Sequence, residues 1–168
     1  LLELLQQNGR ISQQDLAKAV GLSAPAVGER LRKLEERRVI QQYTAVLDPG
    51  ALGLDILAFV SVGIQGSRHF ADFRKRVSAT DEILECHSVT GEGSHLLKIR
   101  VADTAALEAL LADIQGWPGV HRTSTSIVLS TLRETSSLPL PEVSAGADLA
   151  DDDLSTADLL HVPFRRKL

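Results

Sequence analysis

The chain is poor in several residue types, and each shortage excludes a class of protein. Cys86 is the only cysteine among 168 residues, so neither a disulfide framework nor a cysteine-based zinc cluster is possible. The longest apolar run, 56–60, is far shorter than the roughly 20 residues that span a membrane. Methionine is absent, so we expect further residues before Leu1 that extend a first helix. With no recognisable secretory signal at its start, a soluble, cytoplasmic protein without a membrane partner fits best.

The hydrophobic and charged residues that are present are unevenly distributed. Hydrophobic types make up 43% of the chain but aromatic ones only 4%, so the core must be mostly aliphatic. The net charge of −4 comes from residues 134–168, and the remainder is neutral. Five bases fall within nine residues of this neutral part, namely Arg30, Arg32, Lys33, Arg37 and Arg38. The acidic balance therefore does not argue against nucleic-acid binding, because the basic part is local.

Three helices are predicted in the first 40 residues. A leucine stripe at the start of the chain ends at Gly9, which is a helix-stop signal. Ser12 can cap a second helix that Gly21 ends. Ser23 can cap a third helix, which has Pro25 in its first turn.

The stretch 13–31 has the spacing of a helix-turn-helix. Two helices that cross closely need a small residue at the crossing, which Ala17 supplies, and Gly21 suits the positive φ of the turn four residues later. Val27, six residues further on, can anchor the second helix to the first. Arg30 occupies a usual apolar position three residues beyond, with Leu31 beside it. The spacing predicts a DNA-binding motif whose second helix enters the major groove.

The chemistry of the outward residues predicts their roles on DNA. Short side chains near the start of the second helix of the pair allow close approach, and Glu29 can accept a hydrogen bond from a cytosine amino group. The basic side chains and the amides at the capped helix starts can bind phosphates. Such contacts position a protein on DNA without reading its sequence. We therefore predict loose specificity helped by DNA bending. The predicted DNA-binding residues are Ser12, Ser23, Ala24, Pro25, Gly28, Glu29, Arg32, Lys33, Arg37 and Arg38.

An ordinary solvated helix face is the alternative for the same residues. Glu29, Glu35 and Glu36 are interleaved with the bases and can pair with them along the helix. Gly28 destabilises a helix by about 1 kcal/mol relative to alanine. Either the helix backbone approaches another group closely at this position, or the glycine is a tolerated substitution without a function. The helix-turn-helix spacing favours DNA over this alternative.

The order of strands and helices expected over residues 54–133 predicts a ferredoxin-like domain. A short strand over 43–47 and a turn form a linker over 43–53. Strands over 54–64, 83–90, 95–101 and 123–132 alternate with helices after Phe70 and Asp103 in the order β-α-β-β-α-β. The predicted fold class is α+β, with an N-terminal helix-turn-helix (winged-helix-like) domain over 1–42. Residues 134–168 are expected to form a flexible acidic tail, with an interaction segment or an expression remnant as alternatives.

The first long strand predicts self-association. One face of 54–64 is wholly apolar, and the other holds Leu57 and Phe59. A ferredoxin-like sheet carries helices on one face only, so two apolar faces imply a second cover that the chain itself does not supply. Association through the open face would pair two DNA-reading helices for two half-sites.

These motifs together resemble those of the Lrp/AsnC, or feast–famine, family of transcription regulators. The resemblance covers about 1–133 and rests on NGRIS, LAKAVGLS, ERLRKLEERRVIQQYTAVLDP, ECHSVTG, LLKIRV and PGV. It implies binding to double-stranded DNA by homodimers that assemble further, often into octamers. It also implies a small effector, commonly an amino acid, and no other cofactor.

The resemblance places the effector between dimers, near the glycine-containing turn at 91–95. This turn is no phosphate loop, because strand residues rather than a helix follow its glycines. In the family this turn usually reads glycine, acid, aromatic, acid and then a second aromatic residue. Here Gly91 and Glu92 match that pattern, whereas Gly93, Ser94 and His95 depart from it. The glycine amides could bind the carboxylate of an amino acid, and Glu92 or Ser94 could bind its ammonium group. The alternative is a plain turn that has lost its ligand. The predicted effector-binding residues are Thr90, Gly91, Glu92, Gly93, Ser94, His95, Thr123 and Thr125.

Neither catalysis nor metal binding is predicted. Proteins similar to the family act as sirohaem decarboxylases on the same scaffold, but the one tyrosine, Tyr43, lies in the linker rather than near a tetrapyrrole pocket. An effector sensor without DNA binding is a third alternative. Cys86 and His87 face opposite sides of a strand, and the histidines show no metal-ligand spacing.

Overall fold

The computed structural model of the protein describes residues 1–140. These residues form two compact units, one of Leu1–Val46 with 135–140 and one of Leu47–Glu134. The first boundary falls inside the predicted linker, and the second lies next to the predicted start of the tail. The prediction of a flexible tail falls mostly on 141–168, which lie outside the described residues.

The first unit contains the three predicted helices. They are α1 (Leu2–Gln7), α2 (Gln13–Val20) and α3 (Ala24–Glu36). Their apolar stripes meet in a core that buries Leu16, Ala17, Val27, Leu31 and Leu34. Each large aliphatic side chain buried there contributes about 1.5–3 kcal/mol, which is what holds such short helices in place.

The linker contains no strand, so the strand predicted over 43–47 is wrong. A strand needs a neighbour to complete its ladder of hydrogen bonds, and no described residue pairs with this segment. Tyr43 instead folds back onto α3, where its Oη donates to Glu35 Oε1 at 2.9 Å. Burial and then the Glu35 carboxylate raise the pKa of Tyr43 to about 12.

The second unit is an antiparallel four-stranded sheet with two helices. The strands are β1 (Ile56–Ile64), β2 (Ile83–Ser88), β3 (His95–Val101) and β4 (Val120–Ile127), and the helices are α4 (Phe70–Ser78) and α5 (Thr104–Gln115). The chain order β1-α4-β2-β3-α5-β4 and the sheet order β2-β3-β1-β4 are those of a ferredoxin-like domain. The predicted α+β class is therefore confirmed.

The core of this unit lies on the helix-covered face of the sheet. Ala58 and Val60 of β1 lie opposite Ile99 and Leu97 of β3, and all four are fully buried. Phe73 of α4, 1% exposed, belongs to the same cluster. The period of two along both strands sorts their side chains to this face, which confirms the apolar face predicted for 54–64.

Three of the four strands differ from the prediction in where they begin or end, and β2 ends at Ser88 rather than at residue 90. β1 begins at Ile56 rather than at residue 54, and β4 covers Val120–Ile127 rather than 123–132. The partner strand sets these limits, because the β1–β4 ladder runs from Ile64↔Val120 to Ala58↔Ile127 with a bulge next to Gly63. One further bond joins the Val128 amide to the Leu57 carbonyl, and residues 129–132 have no β1 backbone left to pair with.

The other face of the sheet is mixed in character. Leu57 is 7% exposed there and Phe59 36%. Beside them Lys98, opposite Phe59, donates to Glu85 at 3.2 Å and also to Glu134. Neither α4 nor α5, the two helices of this unit, packs on this face, where the partly exposed Phe59 lies beside a cluster of ion pairs.

Candidate DNA interface and ligand-binding loop

The corner between α2 and α3 has the local geometry of a helix-turn-helix. Ser12 Oγ accepts a hydrogen bond from the Asp15 amide at 3.1 Å, and Ser23 Oγ accepts one from the Ala26 amide at 3.3 Å. Both predicted caps are confirmed. Gly21 ends α2 with a φ of 69°, in the left-handed region that glycine enters at little cost.

Apolar residues seal the crossing of α2 and α3. Ala17 is 6% exposed, Val27 is fully buried and Leu31 is 7% exposed. Leu31 therefore fills the inward position beside Arg30. This explains how the motif tolerates a basic residue at a position that is usually apolar. This packing fixes which side of α3 faces outward.

The exposed stripe of α3 carries both acids and bases. Its exposed residues between the caps are Pro25, Glu29, Arg32, Glu35 and Glu36, whereas Ala24, Gly28 and Lys33 are half-buried. Pro25, Glu29, Arg32 and Glu36 follow one another at intervals of three or four residues, so they line one side of the helix. Of the residues predicted to meet bases, Pro25 and Glu29 therefore lie on this accessible side, whereas Ala24 and Gly28 are partly covered.

Arg32 is held between two glutamates on that surface. Its Nη2 and Nε donate to the Glu29 carboxylate at 2.7 and 3.1 Å, and its Nη1 donates to Glu36. Lys33 Nζ lies 3.7 Å from Glu29. The hydrogen bonds with Glu29 and then Glu36 raise the pKa of Arg32, and the bond from Arg32 lowers the pKa of Glu29. These are the pairs of the solvated-face alternative, so two predicted phosphate contacts already face carboxylates within the chain.

The other predicted phosphate contacts follow the end of α3. Arg37 is its C-cap, and Arg38 has a φ of 56°. The Val39 and Ile40 amides both donate to the Leu34 carbonyl, in a helix-ending turn whose left-handed residue is usually glycine. Because a left-handed non-glycine residue costs about 1–2 kcal/mol, the strain at Arg38 marks its side chain as a candidate for function.

Two other predicted contacts are engaged within the helical unit. A Cβ added to Gly28 would lie 3.3 Å from Gln13 Oε1, so the close approach inferred from this glycine is to α2. Ser12 Oγ also donates to the Asp15 carboxylate at 2.7 Å. That bond and then Lys18 lower the pKa of Asp15, so a carboxylate stands beside the α2 amides that were predicted to meet phosphate.

The turn between β2 and β3 is attached to β1 through Ser94. The Ser94 amide and hydroxyl donate to the Val62 carbonyl at 3.0 and 3.1 Å, and the hydroxyl accepts from the Ile64 amide at 3.2 Å. A Cβ added to Gly93 would lie 2.2 Å from Ser61 Oγ, so the turn packs directly on β1. These bonds fix the turn but engage the hydroxyl that was predicted to meet an ammonium.

Glu92, at the tip of this turn, pairs with a residue that sequence reasoning missed. Arg122 Nη2 of β4 donates to Glu92 Oε2 at 3.2 Å, and both side chains are largely exposed. Only the register, which sets Arg122 opposite Gly63, reveals that β4 reaches this turn. Thr90 and Gly91 are exposed beside Glu92, so the tip offers a cation, a carboxylate and backbone amides together.

His95 lies apart from the tip, inside the core. It is 6% exposed and packs against the rings of Phe70 and Phe73, with centroids 5.3 and 4.8 Å away. Its Nδ1 lies 3.0 Å from Ser94 Oγ. Burial and then the nearby Arg74 charge lower the pKa of His95, so the imidazole is neutral at physiological pH.

Thr123 and Thr125 also face the helices rather than the tip. They lie opposite Val62 and Val60, which point into the core, and Thr123 Oγ1 accepts from Gln115 at 3.0 Å. The eight predicted effector residues are thus divided, with 90–93 at the tip and the other side chains directed into the unit.

Both units match known domain families. Residues 57–138 match the Lrp/AsnC ligand-binding domain, and residues 1–41 match a winged helix-turn-helix DNA-binding domain. The leucine-responsive regulatory protein of Haemophilus influenzae is 39% identical over 83% of this chain and 86% of its own length. The chain belongs to the Lrp/AsnC family.

Solved structures of relatives have the same fold as this Lrp/AsnC protein. A transcriptional regulator of Neisseria meningitidis in complex with L-methionine superposes with a TM-score of 0.79 at 34% identity, covering 82% of this chain and 91% of that one. The feast or famine regulatory protein of M. tuberculosis complexed with L-methionine gives 0.75 at 37% identity, covering 81% and 92%.

Family membership distinguishes between the functions that the sequence left open. The protein is a DNA-binding transcription regulator of the Lrp/AsnC type and not an enzyme of the sirohaem decarboxylase kind. Within residues 1–140, no helix is long and apolar enough to cross a membrane. Over the same residues, no three His, Cys, Asp or Glu side chains are grouped as a metal ion would require.

Proposed function

We propose that this regulator binds duplex DNA through the α2–α3 corner, with the N-terminal half of α3 in the major groove. The observation that carries the proposal is the buried crossing at Ala17 and Val27, which leaves Pro25 and Glu29 facing outward. Short side chains such as that of Pro25 let the helix backbone approach the bases. Glu29 accepts a hydrogen bond from a base amino group.

The phosphate contacts are proposed to flank this helix. Ser12 and Ser23 lie at the helix starts, and the bases Arg32, Lys33, Arg37 and Arg38 lie along and after α3. Because most of these groups bind the backbone and few reach base edges, specificity is loose and depends on how readily the site bends.

Replacing Arg38 with glycine is expected to separate stability from DNA binding. Glycine relieves the left-handed strain, so the free energy of unfolding of the helical unit rises, by up to about 1 kcal/mol. The same change removes one phosphate contact, so DNA affinity falls and the plot of log K against log salt becomes shallower by about 0.9. Urea unfolding followed by Tyr43 fluorescence measures the first effect, and fluorescence anisotropy with a labelled duplex measures the second.

Arg133→Gly is the matched control, because it removes the same charge from an exposed position in the sheet unit. Its salt slope should equal that of the wild type. If Arg38→Gly also keeps the wild-type slope, Arg38 does not contact phosphate.

We propose further that a small effector, an amino acid, binds at the tip of the β2–β3 turn between dimers. The Arg122 guanidinium offers a fork for a carboxylate, Glu92 pairs with an ammonium, and the Gly91 amide is exposed nearby. The L-methionine complexes of two relatives support this chemistry. Because His95, Thr123 and Thr125 face the helices, the proposal rests on 90–94 and Arg122 only.

Titration calorimetry with L-methionine and then the other standard amino acids tests this site. We expect heat with at least one of them and a loss of about tenfold or more in its affinity for Arg122→Gln, because a charge-assisted hydrogen bond contributes about 1.5–3 kcal/mol. No heat with any amino acid would rule out an amino-acid effector, and an unchanged affinity for the variant would remove Arg122 from the site.

We also propose that the chain forms homodimers through the second sheet face and that these assemble into an octamer in the cytoplasm, where the DNA partner lies. Phe59 remains 36% exposed on that face, and a large apolar side chain left exposed there suits an interface. Sedimentation equilibrium should give about eight times the chain mass. A monomer at micromolar concentration, or cell fractions that place the protein in the envelope, would contradict these proposals.

A further inference from the structure

We propose that Glu29 and Glu36 act as internal competitors for Arg32 and so weaken the binding of α3 to non-specific duplex. This inference rests on the proposed DNA-binding function and adds a source of selectivity to it. The three side chains, called the α3 clamp below, lie on the exposed side of the recognition helix.

The clamp engages the paired Nε and Nη2 donors of the guanidinium, which a phosphate could otherwise use, and one donor of Nη1. Glu29 receives two hydrogen bonds from Arg32, in the paired geometry that arginine otherwise offers to phosphate, and Glu36 receives a third from the remaining arm. The spacings of three and four residues bring both carboxylates to Arg32 without distorting the helix. Three of the five N–H donors of Arg32 are thus engaged before any DNA arrives.

The charge balance of the clamp opposes phosphate. Two carboxylates surround one guanidinium, and Lys33, at 3.7 Å from Glu29, is drawn toward the same pair. For Arg32 to offer the same donors to a phosphate, it must leave its carboxylates. Lys33 still lies near Glu29, but Glu36 then faces the DNA backbone without the Arg32 charge. Every duplex imposes this penalty, because every duplex presents the same phosphates.

Only some base sequences offset the penalty. Glu29 lies in the first half of α3, which is proposed to enter the groove, so a cytosine or adenine amino group there can take the place of Arg32 as its donor. Glu36 ends α3, two turns further along, where bases are out of reach. Glu29 therefore couples release of Arg32 to sequence, whereas Glu36 acts on all DNA alike.

A purely structural role for the same pairs gives a different expectation. If the clamp only supported the helix, removing Glu36 would lower stability and leave non-specific DNA binding unchanged or weaker. Since the side chains of Glu29 and Glu36 remain 50% and 57% exposed, the glutamine variants should fold normally. Non-specific affinity is therefore the measurement that distinguishes a competitor from a helix support.

The test measures the affinity of the full chain for a random-sequence duplex by fluorescence anisotropy over about 50–200 mM salt. For Glu36→Gln we expect affinity to rise roughly fivefold to tenfold near 0.1 M salt and the salt slope to steepen by about 0.9, as one more phosphate is bound. The double variant Glu29→Gln/Glu36→Gln should gain more and should lose discrimination between a selected and a random duplex.

Glu108→Gln is the control, because it makes the same change in charge on an exposed position of α5 in the other unit. If Glu36→Gln matches this control, or binds random duplex more weakly than the wild type, the inference is wrong. Failure of the proposed function is a separate result, in which the wild type itself binds neither a random nor a selected duplex.

Discussion

Replacing Phe73 with alanine is expected to lower the free energy of unfolding of the sheet unit by about 3–5 kcal/mol, as for other buried aromatic side chains. Phe73 is 1% exposed, and its ring lies 4.8 Å from that of His95 and 5.6 Å from that of Trp117. Close-packed neighbours such as these two rings limit how far the cavity can collapse. Urea unfolding followed by the fluorescence of Trp117, the only tryptophan, measures the change.

Phe70→Ala is the matched control on the same helix. Phe70 is only half-buried and meets His95 edge-on at 5.3 Å, so its loss should cost clearly less than that of Phe73. Phe73 also packs against His95, which directly follows Ser94 in the chain. The loss of Phe73 should therefore loosen the turn at Ser94 as well. A loss of stability in Phe73→Ala no larger than in Phe70→Ala would show that the assigned core is wrong.

Replacing Gly119 with alanine is expected to cost the sheet unit about 2–4 kcal/mol. Gly119 has a φ of 84°, where a residue with a Cβ is strained by about 1–2 kcal/mol. The added Cβ would also lie 2.6 Å from His69 Cγ, and overpacking of this kind costs about 1–3 kcal/mol. The Gly119 carbonyl accepts from the Gln65 amide at 2.7 Å, so the backbone has little freedom to move away. The shift in the urea midpoint of Trp117 fluorescence reports the loss.

Two further variants separate strain from collision. Gly53 has a φ of 69° with nothing within 4 Å of an added Cβ, so Gly53→Ala should show the strain alone, about 1–2 kcal/mol. Adding His69→Gly to Gly119→Ala should recover the steric part, because it removes the His69 Cβ, Cγ and Cδ2 atoms that lie 2.6–2.7 Å from the added Cβ. Equal losses for the two glycine variants, or no recovery in the double variant, would contradict the close packing at His69.

Local signals explain why the helical unit could be predicted from sequence. Ser12, Gly21 and Ser23 each perform a function that depends only on neighbours within four residues along the chain, namely a cap, a left-handed turn and a second cap. The small residue at Ala17 and the apolar residue at Val27 then fix the crossing. Such short-range requirements are visible in a single sequence, and all of these predictions are confirmed.

Long-range pairing explains the errors in the strand predictions. Whether 43–47 forms a strand and where β4 ends both depend on which backbone is available as a neighbour, and sequence periodicity alone does not supply that information. Arg122 was missed for the same reason, because it reaches Glu92 only across β1. The register between neighbouring strands, rather than the tendency of a segment to form a strand, is what the sequence alone does not supply.

One signal at the candidate ligand site was present in the sequence but was not used. His95 alternates with Leu97, Ile99 and Val101, so the period of two already assigns it to the buried face. The ion pairs around Arg32 were considered as an alternative to DNA contact, and the structure shows that they form. A charged face can therefore be paired within the chain and still lie on the proposed DNA surface.

The most direct test of the account is the salt dependence of binding between the full wild-type chain and duplexes enriched from a random pool. If Arg32, Lys33, Arg37 and Arg38 each replace a counterion, log K should fall linearly with log salt at a slope of about −3 to −4 for each bound copy. Failure to enrich any duplex, or a slope near zero, would contradict the claim that the α2–α3 corner binds DNA.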